Sequence, residues 1–147
     1  VSATTDLLEG IARQLHTAGI GVYNPDGVYT PEQVGIVLKV VPASPDRVIV
    51  LNVYTPGAAD NPDQPLSTTA VQVRTRGRAN KPFDTDETLD AVNTLLQGQE
   101  QYRYGTVQAL AVTRTSSVPL GQDGNKRFEH ADNYYVDVEL PPTLHRQ

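Results

Sequence analysis

The chain has 147 residues, of which 38% are hydrophobic and 20% charged, with 12 Lys and Arg against 17 Asp and Glu for a formal net charge of −5. That length suits one domain with its own core, and the absence of Cys excludes disulfides, thiolate metal sites and cysteine nucleophiles. The acidic balance argues against a protein built to grip nucleic acid. No apolar run approaches the ~20 residues of a membrane span, and residues 1–5 carry no secretory signal pattern.

In chain order, Leu7, Leu8, Ile11 and Leu15 recur at helical spacing. Asp6 and Glu9 have the spacing of a capping box, and Gly19 is placed to end the helix. Gly10 within it reads as either a tolerated glycine or a close backbone approach. A turn follows at Asn24-Pro25-Asp26-Gly27, where Pro presets φ and Gly supplies φ > 0. The apolar run Val34 to Val41 and the run Arg47 to Tyr54 read as two strands, close enough in sequence to be expected as an antiparallel hairpin. Pro56 to Pro65 is a polar loop.

A third strand, Ala70 to Arg76, alternates, with Val71, Val73 and Thr75 on one face and Gln72, Arg74 and Arg76 on the other. The second helix starts near Asp84, its first-turn acids complementing the helix dipole, and Leu89, Val92, Leu95 and Leu96 form its apolar stripe before Gly98. A fourth strand is expected from about Thr106 to Arg114 and a last one from Tyr134 to Leu140. Between them, Ser116 to Asn133 reads as a long connection, because Pro119, Gly121 and Asp123-Gly124-Asn125 interrupt it. The pattern predicts one α+β domain over residues 1–147: a single mixed, mostly antiparallel sheet of about five strands with two helices on one face.

Catalytic signatures are missing from this pattern. His16, His130 and His145 have no metal-binding spacing, and His130 reads as an exposed loop residue beside Glu129 and Asp132. The acids Asp84, Asp86, Glu87 and Asp90 read as a helix start rather than a metal site, and Asp123-Gly124-Asn125 as a turn rather than a calcium loop. No serine has a base beside it in any nucleophile motif. The expectation is a protein that is not an enzyme and uses no cofactor or metal. Arg74, Arg76, Arg78 and Lys81 instead concentrate four cations, read either as a solvated face or as a contact for an acidic surface on a neighbouring subunit. In the long connection, Leu120 and Phe128 are expected to anchor an interface, with Arg127 as a charge at its rim.

Several of these segments together resemble a known family. They are the helix ending in Gly19, Tyr23-Asn24-Pro25-Asp26-Gly27, Ser44-Pro45-Asp46-Arg47, Val71-Gln72-Val73-Arg74-Thr75-Arg76-Gly77, Pro119 through Phe128, and Asn133-Tyr134-Tyr135. The series, from about Asp6 to Pro141, resembles the tail terminator (minor capsid) proteins of long-tailed bacteriophages, the siphophages. The resemblance implies a homo-hexameric ring that caps the tail tube protein at the head-proximal end of the virion tail, after assembly in the host cytoplasm. It further implies docking to head-completion proteins of the neck, and DNA passing through the ring without specific binding. Heterologous contacts would close such a ring, the Pro56–Pro65 and Ser116–Asn133 segments would reach above and below it, and its summed negative charge would repel phosphates. The alternative is a small non-enzymatic binding or regulatory α+β domain.

Overall fold

A computed structural model describes residues 2–57 and 59–146. Helix α1 spans Ala3–Thr17. Its cap is Ser2, whose hydroxyl accepts the Thr5 N–H, and not Asp6. Leu7, Leu8, Ile11, Ala12 and Leu15 are buried as the spacing required. Gly19 at φ +77° turns the chain out of the helix, while the Ile20 N–H returns to the Leu15 carbonyl. Gly10 is a close approach: a Cβ there would sit 2.5 Å from Cδ1 of Tyr104.

Seven strands follow, two more than the sequence pattern indicated: β1 (Val22–Tyr23), β2 (Gly35–Leu38), β3 (Val48–Tyr54), β4 (Leu66–Ala79), then after α2 (Asp84–Leu96) β5 (Glu100–Tyr104), β6 (Val107–Gln122) and β7 (Arg127–Glu139). They form one mixed sheet in the order β1-β2-β3-β4-β7-β6-β5. The expected hairpin between β2 and β3 is not formed: both β1–β2 and β2–β3 are parallel, with Gly35 opposite Val48 and Leu38 opposite Leu51. The remaining joints are antiparallel. The parallel joint exists because residues 39–47 double back over one face of the sheet. That path is fixed by Arg76, which donates to the Asp46 and Pro45 carbonyls, and by Arg127, which donates to the Ala43 carbonyl. Both partners are remote in sequence, so no local pattern announces it.

Both helices pack on one face through a common core that includes Leu15, Ile49, Leu51, Val71, Val73, Leu89, Val92, Tyr134 and Val136. Tyr134 is fully buried with its hydroxyl donating to Asn93 of α2 at 3.0 Å. Burial also raises the Tyr104 phenol to about 12. Its hydroxyl closes a three-membered circuit between α1 and the α2–β5 turn. Gln14 Nε2 donates to Gln99 Oε1 at 2.6 Å, Gln99 Nε2 donates to Tyr104 Oη at 2.7 Å, and Tyr104 Oη donates to Gln14 Oε1 at 2.6 Å. Asp6 accepts both the Thr106 N–H and its hydroxyl, anchoring α1 to the β5–β6 turn.

The segment read as a long connection is a hairpin. β6 and β7 run on to Gln122 and Arg127 and are joined by the Asp123–Lys126 turn. Asp123 accepts the N–H groups of Asn125 and Arg127, and Lys126 closes the turn at φ +62°. Three residues of β6, namely Leu110, Thr115 and Leu120, have no partner in the ladder with β7, so bulges recur every five residues. Pro119 lies in the outer part of β6, the position in a sheet where a missing N–H is tolerated. Among the described residues no helix is long and apolar enough to cross a membrane.

Candidate assembly surface

The sheet has one face under helices and one open face, and its strands have two unlike ends. Where Ala79 pairs with Arg127, the β4–α2 turn and the β6–β7 turn are neighbours, joined by a hydrogen bond from the Asn80 N–H to the Lys126 carbonyl. All seven candidate interface residues gather toward this end, yet they do not form one exposed patch. Arg76 and Arg127 are buried, at 4% and 6% exposure. Arg127 pairs with Asp123 at 2.8 Å and with Asp46 at 3.2 Å. These two guanidiniums hold the 43–46 loop within the subunit, so their geometry is that of an internal clasp rather than of a rim facing solvent. Burial, and secondarily the neighbouring Arg127, lowers the pKa of Arg76.

Arg74 lies half-buried on the open face, bonded to Glu129 at 2.9 Å. Arg78 is exposed and grips Asp84 through two side-chain nitrogens at 2.8 and 2.9 Å. That grip, chiefly the hydrogen bonds from the Arg78 side chain, holds the Asp84 carboxyl down to about 2. Asp84 is thus committed to Arg78, while Asp86, Glu87 and Asp90 face outward from α2. Lys81 is exposed and has no carboxylate partner among the described residues. Leu120 is exposed, as is every residue of β6 from Thr113 to Gln122, and Phe128 is half-buried on the helix side of β7.

The hairpin also brings together side chains that the sequence search left apart. Ser117 of β6 lies with its hydroxyl 2.8 Å from His130 Nε2 of β7, and that hydroxyl donates to Asp132. Asp132 is wholly buried and also accepts from Arg114 at 3.2 Å. His130 is therefore not an exposed loop residue, and a serine does have a base beside it. The order of contacts differs from that of a hydrolytic triad, in which the acid orients the histidine from the far side and the histidine takes the serine proton. Here the acid holds the serine itself, and among the described residues nothing holds His130 Nδ1. The cluster fastens the outer strand β6 to β7. The signal that could have revealed it is the Asp123-Gly124 pair flanked by two arms of similar length, a hairpin signature.

The opposite end of the sheet, where Leu66 pairs with Glu139, is bordered by the loop after β3. An open groove of about 510 Å³ lies between that loop and the β7 end, with Pro56, Leu66, Leu110 and Val138 as apolar lining and Asp60 and Asp137 as its acids. Asp60 receives the Ser67 hydroxyl, and Asp137 receives the Thr68 hydroxyl at 2.7 Å. Neither carboxylate meets a cation among the described residues. No group of three or more His, Cys, Asp or Glu side chains gathers in a metal-holding arrangement among the described residues.

A one-sided α+β sheet with a clasped end and an acidic grooved end is the class of domain these features define. The chain belongs to the bacteriophage tail terminator family, whose family model, described as bacteriophage tail terminator protein, matches residues 14–140. It is accordingly a structural protein of the phage tail. No individual curated protein matches the chain.

Proposed function

We propose that the protein ends the tail tube as a ring of six identical subunits at the head-proximal end, joins it to head-completion proteins of the neck, and lets DNA pass without specific binding or catalysis. The observation that carries the reading beyond the family is the open face of the sheet. Outside the 43–46 loop, it presents hydroxyls, amides and tyrosines such as Thr68, Gln72, Asn133 and Tyr135, the acids Asp137 and Glu139, and the apolar Leu66 and Val118. Its arginine there, Arg74, is neutralised by Glu129. Tight phosphate binding requires several unpaired cations side by side, whereas this face offers hydrogen-bonding groups and negative charge. Arg78, Lys81 and Leu120 remain at the surface for contacts between subunits or with the tube. The decisive experiment is electron microscopy of particles made without the protein. Tails of uncontrolled length, restored to uniform length by the wild-type protein seated at the head-proximal end, are the expected outcome. Tails of normal length and normal attachment in its absence would overturn the reading.

A further inference from the structure

One end of the sheet is a concave groove with two acids, and the other is a projecting turn that carries a lysine. The groove of Asp60 and Asp137 is concave, has apolar lining from Leu66, Leu110 and Val138, and contains two carboxylates whose partners are hydroxyls. At the other end the Asp123–Lys126 turn is a narrow projection with Gly124 and Asn125 at its tip. Arg127 neutralises Asp123, so Lys126 is the unpaired charge of the turn, and Lys81 stands on the adjoining turn. Asp86 and Glu87 lie further along, on the outward side of α2.

A subunit cannot fill its own groove with its own turn. β7 connects the two, running from Arg127 beside the turn to Glu139 beside the groove, and a strand of that length holds its ends roughly 40 Å apart at about 3.3 Å per residue. We propose that the Asp60–Asp137 groove is the receptor for the Lys126 turn of a second copy of this chain. The contact is heterologous, so each subunit offers one groove and one turn, and repetition yields a ring if the rotation closes. An apolar lining with complementary charges at its margin is the composition of a specific interface. The inference rests on the reading of the protein as an assembled subunit and identifies which surfaces meet.

Charge reversal tests it on the full-length protein. One variant carries Asp60→Lys and Asp137→Lys, the other Lys81→Glu and Lys126→Glu. Sedimentation at low salt should show oligomers for wild type and, for each variant alone, self-association weakened about tenfold or more. Mixing the two variants should restore assembly, because each reversed groove then meets a reversed turn. Raising salt should dissociate wild type and mixture alike. The neutral pair Asp60→Asn and Asp137→Asn, which keeps acceptors for Ser67 and Thr68, should also weaken assembly and covers the case in which lysines disturb folding. A monomeric wild type, variants that assemble normally, a folded mixture that stays dissociated, or an unaffected neutral pair would each overturn the proposal. Tail length in particles reports separately on the terminator function: controlled length with any of these outcomes would mean that the ring closes through other contacts.

Discussion

Both ends of the sheet contain acids in plain view of the sequence, but they treat them differently. At the clasped end, Asp84, Asp123, Asp46 and Glu129 each meet an arginine. At the grooved end, Asp60 and Asp137 meet hydroxyls and, among the described residues, no cation. The run of cations from Arg74 to Lys81 thus serves mainly to hold the chain to itself, with Arg76 and Arg127 sealing a loop that crosses the sheet. The difference teaches that a charge cluster in sequence marks a surface for partners only when its own subunit supplies no counter-charges. Here Asp60 and Asp137 at the grooved end and Lys81 and Lys126 at the clasped end are the charges without a counter-charge that the two ends leave for partners, among the described residues.

Breaking the clasp is the severest test of this contrast. Arg76→Ala removes charged donors from the buried Pro45 carbonyl and the part-buried Asp46 carbonyl, and should cost about 3 kcal/mol in urea denaturation. Asp137→Ala at the other end should stay within about 0.5 kcal/mol of wild type, as for an exposed position. Equal losses at the two positions would erase the distinction between a clasped end and a free one.

Three smaller changes sharpen it. Gly10→Ala, which in an exposed helix would stabilise, should instead cost about 1–3 kcal/mol, because its methyl would press on Tyr104. For Asp84, the folded carboxyl is held at about 2 against an ordinary 3.8. The unfolded chain therefore binds a proton first as pH falls, and the stabilisation from this group is complete above about pH 4 and lost toward pH 2. In acid titrations monitored by circular dichroism, Asp84→Asn should show a shallower decline across that window than wild type. An unchanged slope would mean that the Arg78 grip does not persist in solution. Smallest of all, Lys126→Gly should raise stability by about 0.5 kcal/mol, since φ +62° is strained for lysine and open to glycine.

How much of this was legible follows from the range of the interactions. The α1 and α2 stripes and the alternation of Val71, Val73 and Thr75 are local periodicities, and the structure repeats them. The Asp84 pairing with Arg78 was half visible, because an acid at a helix start was expected but its partner was not. The hairpin of β6 and β7 was hidden by Pro119 and Gly121, residues that normally break strands. They are accommodated because that stretch of β6 is exposed and bulged, with Gly121 at φ +80°. The parallel β2–β3 joint and the Asp60–Asp137 groove depend on contacts between residues tens of positions apart, and short windows of sequence contain no trace of them.

The bulges of β6 have a consequence for sheet growth at the outer flank. From Thr115 to Gln122 this strand lies outside β7 with no described strand beyond it. A flat, regular rim of that kind is a template onto which further chains can add without limit. Extra residues at Thr115 and Leu120 coil the rim, and Pro119 takes one N–H out of it. The flank is therefore a poor seed for continuous sheet growth, whereas the proposed contact through one turn and one groove fixes the number of contacts per subunit. A flank closed to open-ended extension suits the proposed role of ending a tube.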